Sequence, residues 1–255
     1  MKNRQDKLNC FKSCFIAHRG FFNNSTDAPE NTILAFKKAV ESGYGIELDV
    51  QITKDKQIVV AHDYDLKRLC DKDVLIKDLS YNELCEYKIL NSCESIPLLT
   101  DVLNVIDARV PLIVEIKAKK EYKEVTEITS KILSDYKGPY CIESFSPYVV
   151  GWYKRNNPAV IRGQLSSDFV IKKIYKSAIK NWVLTNMVYN IFSKPDFIAY
   201  NHKYGDKKCI KFWKKILDCS TVAWTVKSQE ELDQALKMFD IAIFDSFTPS
   251  SKPTL

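Results

Sequence analysis

Residues 32–50 read TILAFKKAVESGYGIELDV, and the change of period inside this stretch decides the fold. Ile33, Phe36, Lys37 and Val40 stand at helical spacing behind Thr32, a residue suited to open a helix, and Gly43 is suited to stop it. From Ile46 the period drops to two. Ile46, Leu48 and Val50 take one face of a strand, Glu47 and Asp49 the other. A helix running into a short strand is the repeating unit of a parallel α/β sheet.

The unit recurs along the chain. Strand-like runs are FIAH (15–18), IELDV (46–50), LIVEI (112–116), YCIESF (140–145), VIRGQL (160–165), FIAY (197–200), TVAWTV (221–226) and IAIFD (241–245). Helical spacing returns at Val125, Ile128, Ile132 and Leu133, and again at Leu232, Leu236 and Phe239. Asp27 is a second candidate helix start and Gly138 a second stop. Eight such units in 255 residues match a (β/α)8 TIM barrel, expected as a single domain over residues 1–255. A doubly wound open sheet is the alternative, but Gly20 stands alone after the first run where such folds often carry a Gly-rich turn. Two places break the rhythm. VQITKDKQIVVA (50–61) predicts a hairpin at the end of strand two. Residues 63–95 predict a small insertion after strand two, lying over the C-terminal face where barrel active sites are built. Residues 179–193 fit no element cleanly.

Composition narrows the classes. The net charge of +6 is spread out, and pairs such as Lys207-Lys208 and Lys214-Lys215 read as solvated helix faces, so no nucleic-acid partner is expected. A mild positive field favours an anionic small molecule. Eight cysteines form no CxxC pair, and Cys10 and Cys14 have no zinc-finger partners, so reduced thiols and a cytoplasmic chain are expected. The first residues, MKNRQDKLNCFKSC, lack an apolar run and do not read as a signal peptide. No apolar stretch reaches 18 residues, so no stable membrane association is expected.

The strand ends carry the chemistry. Glu47 and Asp49 share a face, Glu115 and Lys117 share another, the first strand delivers His18 and Arg19, and the hairpin leads into His62-Asp63. Carboxylates gathered in one mouth repel unless a cation compensates them. Oxygen donors without cysteine suit a hard divalent cation, Mg²⁺ or Ca²⁺. The two histidines suit general acid–base work. Arg19 and Lys117 suit a phosphate. His202, after FIAYN, is expected at the surface or in support of the site.

The order of these pieces resembles the glycerophosphodiester phosphodiesterase family. The resemblance rests on His18-Arg19-Gly20, Pro29-Glu30-Asn31-Thr32, Glu47-Leu48-Asp49, His62-Asp63 and Glu115-Ile116-Lys117. HDYDLKRLC (62–70), with Leu66 and Arg68 in place, Ser144-Phe145, Gly163 and Trp224-Thr225-Val226 extend it. It implies a (β/α)8 barrel and metal-dependent hydrolysis of glycerophosphodiesters to glycerol 3-phosphate and an alcohol. It also implies His18 and His62 as catalytic acid and base, Glu47, Asp49 and Glu115 as metal ligands, and Arg19 and Lys117 as phosphate contacts. Glu30 and Asn31 would border the site, and Trp224, core by default, would line the substrate pocket. Lys227, Ala242, Phe244 and Cys70 depart from the family's usual pattern. Two other functions stay open: a phospholipase-type lipid phosphodiesterase on a similar barrel, and a non-catalytic barrel. An exposed apolar patch on the insertion would favour the lipid enzyme, although Tyr81, Leu84, Tyr87 and Leu90 read as an ordinary amphipathic helix.

Overall fold

The computed structural model describes residues 4, 6–118 and 121–250. The chain divides into two compact units, residues 17–140 and residues 1–16 with 141–255.

The first unit begins on β1 (Ile16–His18), which ends on the histidine. Helix α1 (Ile33–Glu41) opens as its sequence requires, with the Thr32 side chain accepting from Ala35 N–H. Such a cap is worth ~1 kcal/mol. Asp27 opens no helix; it stands in the preceding loop, paired with Lys38. Strand β2 (Gly45–Ile52) turns at residues 53–57 into β3 (Ile58–Val60), antiparallel with Val50 opposite Val60. This is the expected hairpin.

The insertion follows. It holds a two-stranded ribbon, β4 (Asp65–Leu66) and β5 (Lys72–Leu75), and helix α2 (Tyr81–Cys85). Ser80 and Glu83 form a reciprocal capping box at the start of α2. The helix stops at Cys85, short of the longer amphipathic helix expected through Leu90. The insertion has its own core of Leu66, Leu69, Ile76, Leu84, Ile89 and Ile96, seated on Val59 and Ala61. Burying each large side chain contributes about 1.5–3 kcal/mol. Most of its apolar residues are therefore used internally; Leu75 and Leu90 are exposed. Helix α3 (Leu99–Ile106) leads to β6 (Leu112–Ile116), parallel to β2 with Asp49 directly opposite Glu115. Helix α4 (Tyr122–Ser134) buries Val125, Thr126, Thr129 and Leu133. It ends at Ser134, with Asp135 as its C-cap, rather than at Gly138.

The second unit repeats the strand–helix alternation through β7 (Tyr140–Ser144), α5 (Pro147–Asn156), β8 (Ile161–Ser166), α6 (Ala178–Thr185) and β9 (Phe197–Asn201). It continues through α7 (Lys208–Leu217), β10 (Ser220–Val226), α8 (Gln229–Ala235) and β11 (Ile241–Phe244). β7 to β11 pair in parallel in chain order. Gly163 is required where β8 meets β9, because a Cβ there would sit 2.1 Å from the Phe197 ring. All eight expected strands form, and the fold is a (β/α)8 barrel. No helix among the described residues is long and apolar enough to cross a membrane.

Candidate active site

Strand β2 is buried along its whole length, yet Glu47 and Asp49 lie on it. The pairing of β2 with β6 adds Glu115. One carboxylate oxygen from each residue falls within a 4.8 Å cluster, and all three side chains are buried. Their charges are compensated in part from two sides. The Lys117 ammonium lies 3.0 Å from Asp49 Oδ1 and 3.1 Å from Glu115 Oε1. Arg19 Nε lies 3.4 Å from Asp49 Oδ2, and Asn31 Nδ2 donates to the same oxygen at 3.0 Å. Lys117 and Arg19 hold Asp49 well below the usual carboxylate range against the opposing cost of burial. Glu115 goes the other way. Burial, with the Asp49 charge beside it, pushes it up to about 7. A buried carboxylate that holds its proton so tightly lacks positive charge, which a divalent cation among the three would supply. The donor set fits such an ion: three hard oxygens, no sulfur, and the buried Asn31 Oδ1 without a hydrogen-bond partner beside them.

The loop after β1 takes an unusual backbone path. Arg19 has φ +56° and Gly20 φ +82°. Only glycine suits the second position, since a Cβ there would meet the Ala35 backbone at 2.9 Å. The reversal aims the Arg19 amide at Glu47 Oε2, 3.1 Å away. Asn31, also left-handed at φ +57°, is tied back by its own amide to the Arg19 carbonyl at 2.9 Å. Left-handed non-glycine residues carry strain, here concentrated on two residues that touch the acidic cluster. His18 Nε2 lies 4.0 Å from Glu47 Oε2.

His62 Nδ1 lies 2.7 Å from Asp63 Oδ1. Asp63 in turn accepts from Arg68 Nε at 2.6 Å, and the two terminal nitrogens of Arg68 grip both oxygens of Glu30 at 2.7 Å each. Glu30 also accepts from Arg19 and from Asn24. A chain of charge-assisted bonds thus joins the loop after β1 to the histidine after β3. Burial and the nearby Lys117 and Arg19 cations lower the His62 pKa, opposed by Asp49 and Asp63. Arg68 and Asp63 have no role assigned from sequence. Their signal was present in HDYDLKRLC, where a bulky cation sits five residues after a strand-end carboxylate, but sequence spacing does not reveal that the cation reaches Glu30.

Glu30 gives a pH dependence with a definite sign. The Arg68 and Arg19 guanidiniums, against burial, bring its carboxyl down from 4.5 to about 2. A depressed carboxyl contributes stability that is fully present above its unfolded pKa and is lost as pH falls toward the folded one. The difference corresponds to about 3 kcal/mol at neutral pH. Glu30→Gln should therefore be less stable than the wild type near neutrality, and denaturant unfolding should show the gap closing as pH falls from about 5 to about 2. A gap that stays constant over that window would show that the clamp is not electrostatic.

Nine of the ten sequence-predicted site residues come together in the first unit: His18, Arg19, Glu30, Asn31, Glu47, Asp49, His62, Glu115 and Lys117. Trp224 belongs to the second unit, where it is half-buried, edge-on to Phe145 at 5.6 Å with Lys172 over its ring. His202 is buried and lies 3.4 Å from Glu231. A cavity of about 220 Å³ adjoins the acidic cluster through Lys117, lined also by Gln51, Tyr64, Leu75, Lys77 and Glu121.

Residues 18–246 match the model of the Glycerophosphoryl diester phosphodiesterase family. A "Glycerophosphodiester phosphodiesterase" of Caldanaerobacter subterraneus is 29% identical over 238 residues, covering 89% of this chain and 90% of that protein. One of Bacillus altitudinis is 39% identical over 124 residues, which are 46% of this chain and span about half, 49%, of that protein. Among solved structures, an Oleispira antarctica phosphodiesterase in complex with the product sn-glycerol-3-phosphate has the same fold, with TM-score 0.73, 22% identity, and coverage of 91% of this chain and 93% of that one.

Proposed function

The chain belongs to the glycerophosphoryl diester phosphodiesterase family, and from that premise we propose that it hydrolyses glycerophosphodiesters to glycerol 3-phosphate and an alcohol, as one catalytic domain over residues 1–255. The observation that carries the reading is the convergence of three buried carboxylates with two histidines, an arginine and a lysine at the strand ends of one unit. Glu47, Asp49 and Glu115 would hold a divalent cation, and their all-oxygen set suits Mg²⁺ or Ca²⁺. When bound, such an ion polarises a phosphoryl oxygen and orients a hydroxyl.

The chain's own groups supply the rest. Lys117 and Arg19 present positive charge beside the carboxylates and would bind the remaining phosphate oxygens, Arg19 through its fork and Lys117 as a point charge. His18 and His62 would exchange protons with the attacking and leaving oxygens. Asp63 fixes the Nδ1 side of His62, which leaves Nε2 as the atom that gives or takes the proton. Glu30 and Arg68 hold Arg19 and Asp63 in place, and Asn31 orients Asp49. The cavity past Lys117 would take the alcohol. Three of its seven lining residues, Tyr64, Leu75 and Lys77, come from the insertion, so the insertion would help set which alcohol is preferred. Trp224 would contribute to substrate binding.

The test is turnover of a panel of glycerophosphodiesters differing in the alcohol, together with lysolipids and artificial phosphodiesters, with and without chelator. Chelation should abolish turnover, and Tyr64→Ala should reorder the panel while leaving chelator sensitivity intact. Full activity in excess chelator would overturn the metal assignment. An unchanged ranking in Tyr64→Ala would overturn the cavity assignment.

A further inference from the structure

The segment that fits no element from sequence, between β8 and β9, buries several uncharged polar side chains and leaves several large apolar ones exposed. In α6, Asn181 and Thr185 are 5% and 3% exposed, whereas Ile179 and Trp182 are 77% and 56% exposed. The next turn repeats this inversion, with Asn190 and Ser193 buried and Ile191 and Phe192 exposed. Two of the buried polar groups in this segment tie down its backbone. Asn181 exchanges two hydrogen bonds with the Tyr175 backbone, at 3.0 and 2.8 Å. Thr185 Oγ1 accepts from the amides of Phe169 and Val170. An ordinary surface helix would turn its apolar stripe inward. Here the hydrogen-bonding plan of the loop fixes the opposite orientation, so the exposure is built in.

The charge pattern around these side chains is one-sided. From Phe169 to Lys194 the chain holds five lysines and no aspartate or glutamate. Helix α7 adjoins this segment through the Trp213 indole, which donates to the Asn186 carbonyl at 2.8 Å. It continues both features, with Phe212 and Ile216 exposed among Lys208, Lys211 and Lys215 and no acidic residue in its length. The nearest carboxylate before the segment, Asp168, is fully buried and already bound by Lys207 at 2.5 Å.

We propose that this face of α6, its flanking turns and α7 is a peripheral docking surface for an anionic lipid bilayer. Exposed Trp, Phe and Ile side chains would enter the headgroup–acyl boundary. The surrounding lysines would lay their stems along the same boundary and reach lipid phosphates. The charge pattern decides between occupants. A second copy docking on the same patch would set lysine against lysine, which costs energy in a two-fold contact. A bilayer carrying negative charge offers the opposite sign at every lysine position. Such binding is reversible and needs no spanning helix, so it departs from the expectation of no stable membrane association while agreeing with the absence of a spanning helix among the described residues. The inference uses no residue assigned to the acidic site, and its failure leaves the hydrolase reading untouched.

The test is co-sedimentation of the full chain with vesicles of phosphatidylcholine alone and with vesicles of phosphatidylcholine and phosphatidylglycerol in equal parts. Binding is expected to the mixed vesicles, weakened by salt, with a blue shift of tryptophan emission that is missing in Trp182→Ala. Lys173→Gln/Lys176→Gln/Lys180→Gln should weaken partition by about 100-fold, since each lysine near an anionic surface is worth ~1 kcal/mol. Trp182→Ala/Phe192→Ala should also weaken it. Both variants should turn over a soluble glycerophosphodiester at the wild-type rate, which shows that they fold. Three results would overturn the proposal: no binding to the mixed vesicles, loss of binding in the lysine variant alone, or a wild-type dimer that these substitutions dissolve.

Discussion

His62→Ala is expected to lower kcat on a glycerophosphodiester by roughly 10²–10⁴-fold, and His18→Ala by a similar factor, with divalent-cation binding nearly intact in both. Neither imidazole belongs to the carboxylate cluster, so removing either leaves the three oxygen donors in place. His62 is held by Asp63 at 2.7 Å and ends a chain of charge-assisted bonds through Arg68 to Glu30, an arrangement that orients a ring rather than simply solvating it. One histidine must be neutral and the other protonated in the productive form, so the pH–rate profile should be bell-shaped. A nitrophenyl phosphodiester, whose leaving group needs little protonation, should rescue the variant that lacks the acid and not the one that lacks the base. That comparison assigns the two roles. Near-wild-type kcat in both alanine variants on a natural substrate would end the two-histidine mechanism.

The sequence made the parallel elements readable because each carries its own period. Alternation in β2 places Glu47 and Asp49 on one side, and the pairing with β6, which sets Asp49 opposite Glu115, adds the third carboxylate. The hairpin was equally plain, since Lys54-Asp55-Lys56 is polar between two apolar halves. What sequence does not encode locally is reach. Arg68 lies 38 residues from Glu30, and only the fold of the insertion brings the two within 2.7 Å. The left-handed turn at Arg19 and Asn31 was hidden for a different reason, because neither residue announces a positive φ as glycine does. The segment around Ile179–Ser193 resisted reading because its helix is inverted. Periodicity assumes that the apolar face is the buried one, and here Asn181 and Thr185 occupy that place.

Asp49→Asn should be the most damaging single change at the site, and its damage should separate into two parts. Asp49 is the common partner of Lys117, Arg19 and Asn31, at 3.0, 3.4 and 3.0 Å. Removing its charge leaves the largely buried Lys117 with Glu115 as its remaining partner and Arg19 with Glu30 and Glu47. Removing one partner of a buried ion pair typically costs about 3–5 kcal/mol, because the remaining charge stays desolvated and unpaired. The variant should therefore lose stability of that order in denaturant unfolding, and it should also lose divalent-cation binding. Adding Lys117→Met removes one of these cations. The double variant should recover part of the lost stability and none of the activity, because Lys117 is assigned to the phosphate and Asp49 to the cation. Non-additivity of this kind is the signature of a direct pairing. If the double variant is less stable than Asp49→Asn by the full cost of Lys117→Met alone, the two residues are not coupled, and the charge balance drawn around Asp49 is wrong.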